Sequence, residues 1–351
     1  MNDLSDTAKP SESRSTKISP AVILDKVALC SGSVARLQKI DLKIPQGRTA
    51  IVGHSGAGKS SLLSLIAQFE YASSGQVNLG SMATHCNMPL FWAPQDNGLW
   101  PHLTVRQHLT AVASQETNTA NPFQANDVLE PDSTAAEETQ TSIDKSLHAF
   151  DLIHRQSAYP DQLSRGEQNR LAVLRCLFAN PALILLDEPL IHVDPKRQPK
   201  YWNLIENHVK GNRISLIFAT HQPEIAIAHS DHCLCLNQGS VDWFGPTQQL
   251  YNAAPNQQLA EYLGPNNWFE NHEARAIFGR ECEFLSCRPE QLRLLKCESS
   301  ALEIIGTTFS GSYAMTELRH TSGQLQKEVI HRPQANVFEV GQFVTLETVV
   351  S

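Results

Sequence analysis

The stretch Ile51-Val52-Gly53-His54-Ser55-Gly56-Ala57-Gly58-Lys59-Ser60 restricts the possible folds more than any other part of the chain. It contains G-x-x-x-x-G-K-S. The apolar run Thr49-Ala50-Ile51-Val52 stands before it, and the helix-like run Ser60-Ser61-Leu62-Leu63-Ser64-Leu65-Ile66 follows. Strand, glycine-rich turn and helix in this order make a phosphate cradle. The glycines let backbone N–H groups close on an anion without a Cβ in the way. The helix that starts there adds its positive dipole end and unpaired N–H donors. Gly53, His54, Ser55, Gly56, Ala57, Gly58, Lys59, Ser60 and Ser61 are therefore the expected nucleotide-binding residues. Lys59 brings a mobile charge to the β- and γ-phosphates, and the Ser60 hydroxyl is the expected Mg²⁺ ligand.

A length of 351 residues suggests two domains, or one large domain with an appendage. The formal net charge of -8 argues against nucleic acid as a partner and against direct docking on anionic lipid. The longest apolar candidate for a membrane span, Leu177 to Leu186, is too short and carries Asn180 and Pro181. Residues 1–20 are rich in Ser, Thr, Lys and Asp without an apolar segment, and read as a disordered tail rather than a signal peptide. The eight cysteines show no C-x-x-C spacing and mostly sit in apolar runs, which points to a reducing, cytoplasmic setting.

Along the chain, Ala21–Leu24 and Ile40–Ile44 read as strands, and Pro45-Gln46-Gly47 turns into the strand before the phosphate loop. Gln76–Leu79 and Leu90–Ala93 are further short strands, the second ending at Pro94-Gln95. The stretch 112–143 is polar, with six acidic residues and no Lys or Arg, and reads as a partly mobile insertion. Ser164 is placed as the N-cap of a helix through Leu171, Val173, Leu174 and Leu177. Pro181 to Leu186 is a continuous apolar run ending in Asp187-Glu188, the mark of a central parallel strand. Ile214–Thr220 repeats the pattern and ends at His221. Polar groups at the carboxyl ends of such strands sit where α/β sheets bind ligands. Asp187 can hold Mg²⁺ with Ser60 as partner, and Glu188 can orient or deprotonate a water that attacks the γ-phosphate. His229, His232, Cys233 and Cys235 read as a helix end followed by an alternating strand, because their spacing fits no standard zinc pattern. Residues 280–350 read as short strands turning at Gly306, Ser310-Gly311, Ser322-Gly323 and Gly341, the pattern of a small barrel.

Leu163-Ser164-Arg165-Gly166-Glu167-Gln168 resembles the signature motif of ABC-transporter ATPases. Gln95 is similar to their Q-loop glutamine, Val193-Asp194 to the end of their D-loop, and His221 in Ala219-Thr220-His221 to their switch histidine. The order and spacing match along residues 21–250. Gln95 through Val105 is similar to a segment of importer ATPases for sugars, polyamines, ferric iron and sulfate, and Leu285–Glu290 resembles the start of their C-terminal TOBE domain, a small OB-like barrel. The resemblance implies an α/β P-loop NTPase with a β-rich lead-in at 21–250, including a helical subdomain at about 96–178. A linker at 251–270 and a TOBE-like all-β domain at 271–351 would follow.

It also implies ATP and Mg²⁺ as cofactors, with Glu188, His221, Lys59 and Gln95 catalytic and Ser60, Gln95 and Asp187 around the metal. Ser164, Gly166 and Glu167 would contact a nucleotide held by a second copy. The expected partners are that second copy, integral-membrane permease subunits and, indirectly, a solute-binding protein, so that the chain would sit on the inner face of the plasma membrane. Three positions depart from the family pattern. Ser31 stands where an aromatic ring usually stacks on adenine, Arg165 replaces a glycine in the signature, and Ile191-His192 replaces small residues in the D-loop. The alternatives are a soluble ABC ATPase of DNA repair or translation, or a catalytically weak regulatory cassette.

Overall fold

In this computed structural model, residues 20–80, 88–113, 133–279, 281–323, 325–333 and 338–349 are described. The chain runs β1 (Val22–Ser31), β2 (Val34–Ile44), β3 (Arg48–Val52), α1 (Lys59–Ile66), β4 (Ser74–Leu79) and β5 (Leu90–Ala93). It continues with α2 (Val105–Ala113), α3 (Ser133–Ala149), α4 (Arg165–Phe178), β6 (Leu183–Asp187), α5 (Gln198–Asn212) and β7 (Ser215–Ala219). Then come α6 (Pro223–His229), β8 (His232–Asn237), β9 (Ser240–Pro246), α7 (Thr247–Asn252), α8 (Gln257–Glu261), β10 (Asn267–Glu270) and α9 (Asn271–Phe278). The last strands are β11 (Phe284–Cys287), β12 (Leu292–Lys296), β13 (Leu302–Phe309), β14 (Ala314–His320), β15 (Gln326–His331) and β16 (Phe343–Thr348).

The central sheet has the order β5-β6-β7-β3-β8-β9, parallel except for the edge strand β9. Its strands are apolar throughout because both faces are covered. Ile184, Leu186, Leu216 and Phe218 face one core with α4 and α5, while Leu183, Leu185, Ile217 and Ala219 face a second core with α1, β1 and β2. Register sets the functional edge. Ile51 pairs with Ala219, Asp187 with Ala219, and Ala93 with Leu186, so the segments that follow β3, β5, β6 and β7 all emerge on one side. The antiparallel sheet β2-β1-β4 lies over this arrangement, with β1 and β2 longer than the runs expected at Ala21–Leu24 and Ile40–Ile44.

Three sequence expectations are revised. The end of the polar stretch 112–143 belongs to α3, and Ile143 and Leu147, one helical turn apart, are fully buried beside Leu109 and Leu171. Its polar composition hid a narrow apolar stripe; residues 114–132, like the tail at 1–19, lie outside the described residues. The stretch 251–270 is folded rather than a linker, since Leu259, Ala260, Tyr262 and Leu263 enter the first core and Phe269 the third. The segment 271–351 is not purely β, because α9 opens it, with Ala274 and Ile277 packed in the third core beside Phe269.

Beyond α9, β12-β16-β13-β14-β15 form an antiparallel sheet. Arg288, almost fully buried, joins the C-terminal strands to the preceding helices through hydrogen bonds to the carbonyls of Tyr251 (2.9 Å), Ala260 (3.1 Å) and Gly264 (3.1 Å). His229 is bound to Glu206 and stacked on Trp202, and Cys233 and Cys235 are buried strand residues. No described helix is long and apolar enough to cross a membrane.

Candidate nucleotide site

The phosphate loop links β3 to α1 and lies against the turn between β8 and β9. A Cβ at Gly53 would stand 2.3 Å from the Leu236 carbonyl oxygen, so only glycine lets the loop close on that strand. Lys59 Nζ donates to the carbonyls of Gly53 (2.8 Å) and His54 (3.3 Å), which centres its charge over the loop. The cleft it faces is about 950 Å³ and is lined by Ser55, Gly56, Gly58, Lys59, Ser60 and Ser61, together with Gln95, Glu188, Ile191 and His221. Gly53, His54 and Ala57 form the loop backbone behind this lining.

Asp187 ends β6 beneath the cleft. Burial, the largest influence, pushes its carboxyl above the usual carboxylate range, partly offset by a hydrogen bond from Ser60 and the charge of Lys59. Its Oδ1 is buried without a hydrogen-bond partner. An orphaned carboxylate oxygen beside a serine hydroxyl, with the Gln95 amide on the same cleft, is an all-oxygen donor set of the kind that suits Mg²⁺. Glu188 is buried in the left-handed backbone region (φ 50°), a conformation rare outside glycine that clusters at functional sites. Its N–H is tied to the Ala219 carbonyl at 3.0 Å, and its Oε2 accepts from His221 Nδ1 at 2.9 Å. A carboxylate can only accept, so Nδ1 carries the hydrogen and Nε2 is left available.

The signature residues stand elsewhere. Ser164 caps α4, its Oγ accepting from the Glu167 N–H (3.3 Å) while Glu167 Oε2 accepts from the Ser164 N–H (2.8 Å). Glu167 also accepts from Arg155 Nε at 3.3 Å. Burial raises the Glu167 pKa, but the hydrogen bonds from Ser164 and Arg155 outweigh it and hold the group below the usual range. Its carboxylate is thus occupied in building the cap. Gly166 lies against the segment after β6, where a Cβ would come 2.8 Å from the His192 carbonyl oxygen. None of Ser164, Gly166 and Glu167 lines the cleft.

The profile of the ABC transporter family matches residues 37–191. The thiamine import ATP-binding protein of Photobacterium profundum is 32% identical over 219 residues, covering 61% of this chain and 84% of that protein. The chain belongs to the ABC transporter ATPase family. As an ABC ATPase it binds and hydrolyses ATP. It is also 27% identical to the spermidine/putrescine import ATP-binding protein of Pseudomonas fluorescens over 347 residues, 88% of each chain. The fold agrees with a dimeric ATP-binding cassette bound to ADP and Pi, at TM-score 0.52 and 23% identity, covering 64% of this chain and 98% of that one.

Sequence reasoning on this ABC ATPase missed the link between its loops. Asn169 on α4 donates to Asn97, just past Gln95, and accepts from the His192 N–H at 3.0 Å. Arg175, one face of α4 further on, donates to the carbonyls of Gly98 (2.8 Å) and Asn97 (3.3 Å) and lies 4.5 Å from the Trp100 ring centroid. Burial lowers its pKa, its chief perturbation. The available signal was Arg175, a charged side chain inside the apolar run Leu171–Phe178 of the same helix.

Proposed function

We propose that this chain is the ATP-hydrolysing subunit of an ABC importer, working as a homodimer on a membrane permease at the inner face of the plasma membrane. The observation that carries the catalytic part is the Glu188–His221 hydrogen bond at 2.9 Å on the same cleft as Lys59 and Ser60. Glu188 orients and deprotonates the attacking water, while His221 donates Nδ1–H to that carboxylate and holds it in place at the γ-phosphate end of the cleft. Lys59 and the loop N–H groups stabilise the charge that develops on the transferring phosphoryl group. Ser60, Asp187 and Gln95 would hold Mg²⁺, which supplies Lewis-acid charge neutralisation when bound.

The separation of the signature from its own cleft supports a two-chain site, in which Ser164 and Gly166 of one copy meet the γ-phosphate on the other. ATP would then favour the closed dimer by its differential contacts, and hydrolysis would remove them. Relatives named for thiamine, spermidine/putrescine and Fe(3+) import support the importer assignment. We read 21–250 as the ATPase unit and the C-terminal sheet as a TOBE-like domain. The test is light scattering of the Glu188→Gln protein. We expect a dimer with MgATP and a monomer with MgADP; a monomer in both states, in a protein that binds ATP, overturns the two-chain site.

A further inference from the structure

The cleft has a second wall besides the phosphate loop, made by Val34, Ala35, Arg36 and Gln38 of β2 together with Gln238. Among the described residues no Phe, Tyr or Trp ring lines the cleft, His221 stands at its Glu188 end, and Ser31 sits at the hairpin tip, paired with Val34. A purine is normally held by a π face, and the β2 wall of this cleft offers a planar guanidinium rather than a Phe, Tyr or Trp ring.

Arg36 has the chemistry and the setting. Its Nε and Nη2 donate to Ser61 Oγ at 3.1 and 2.7 Å, and Nη1 donates to Glu70 Oε2 at 2.6 Å. Glu70 is itself fixed by Ser64 Oγ at 3.1 Å. All of these bonds are made along the edge of the guanidinium plane, which leaves its faces for stacking. The side chain remains 36% exposed. Ser61 directly follows Ser60 at the start of α1, so the plane is anchored to the phosphate-binding helix itself, on the side where β2 forms the wall. A plane immobilised before the ligand arrives loses little further entropy when a base lies on it.

We propose that Arg36 is the specificity-determining residue at the base end of this site, its guanidinium plane stacking on the purine in place of a ring. The proposal rests on the nucleotide reading of the cleft. Bases do stack on arginine planes in other recognition systems, and a cationic plane suits an electron-rich ring.

The decisive substitution is Arg36→Lys, which keeps the charge and can keep the Glu70 pair but has no planar face. Calorimetry with MgATP and with magnesium tripolyphosphate separates the base from the phosphates. The wild type should prefer ATP by roughly 5- to 150-fold, the range of one base-stacking contact. In Arg36→Lys that preference should fall to within about twofold of unity, with tripolyphosphate affinity nearly unchanged. Adding Ser31→Tyr to Arg36→Lys should restore the preference, and Glu70→Gln alone should retain it.

Three results would overturn the inference: Arg36→Lys weakening both ligands equally, Arg36→Lys leaving both unchanged, or a wild type without preference between them. A wild type that binds neither ligand would instead defeat the nucleotide reading beneath it.

Discussion

Two helix N-termini in this molecule, those of α1 and α4, are built differently. At α1 the glycine loop lines a cleft, Lys59 sits over the loop carbonyls, Glu188 and His221 line the same cleft, and Ser60 hydrogen-bonds Asp187 beside it. At α4 the first turn is closed on itself: Ser164 and Glu167 exchange hydrogen bonds, and no residue of the turn reaches the cleft. The first gathers its candidate binding groups within one chain. The second is a self-capped helix end that stands off that cleft, and on the two-chain reading it would receive an anion carried by another copy. On the two-chain reading proposed above, binding would rest on the first region and turnover would need both.

The sharpest way to break this division is Glu188→Gln, which should cut hydrolysis by about 10²- to 10⁴-fold while ATP affinity stays near wild type; an ATPase assay beside a binding titration decides it. Gly53→Ala should act on binding instead. Its Cβ would meet the Leu236 carbonyl at 2.3 Å, and the loop must shift to make room, so nucleotide affinity should drop by about 10-fold or more, given that roughly 1.4 kcal/mol of lost contact is enough. At the other helix, Ser164→Ala should cost about 1 kcal/mol of stability through the lost cap. In thermal melts that loss should appear with ATP affinity of the isolated chain unchanged and turnover reduced. If affinity falls in step with turnover, the two regions are not separate.

The smallest effect concerns Asp151, which ties the helices around α4 to α5 by accepting from Lys200 Nζ (2.7 Å), Tyr201 Oη (2.7 Å) and Arg197 Nη2 (2.6 Å). Partial burial raises its pKa, but these donors outweigh burial and bring it down to about 2. A carboxyl whose folded pKa lies below its unfolded one stabilises the fold above the unfolded value, about 4, and loses that contribution as pH falls through about 2. Asp151→Asn should therefore destabilise at pH 7 by about 1 kcal/mol, after discounting for solvent around the pair, with the gap to wild type closing near pH 2. Denaturant titrations at both pH values measure it.

Residues close in sequence carried most of the legible site. Gly53 to Ser61, Asp187-Glu188 and Ser164 with Glu167 act through local backbone geometry, and local geometry leaves a readable spacing. The long polar run before Ile143 concealed a helix because, among the described side chains of α3, Ile143 and Leu147 alone are buried apolar ones. Short α7, α8 and α9 were invisible because a turn or two shows too little periodicity to stand out.

By itself, then, the order of residues determined that a phosphate loop, two acid-tipped or histidine-tipped strands and a self-capped helix exist in this ABC ATPase. Tertiary structure alone decided how they are joined. Asn97 meets Asn169, Arg175 reaches Gly98, Arg36 lies on Ser61 and Arg288 caps the carbonyls before β10. Each of these contacts closes a loop of 24 to 77 residues or so. No local rule encodes such a closure, since it is chosen by which buried carbonyls and carboxylates remain without a partner once the cores have packed.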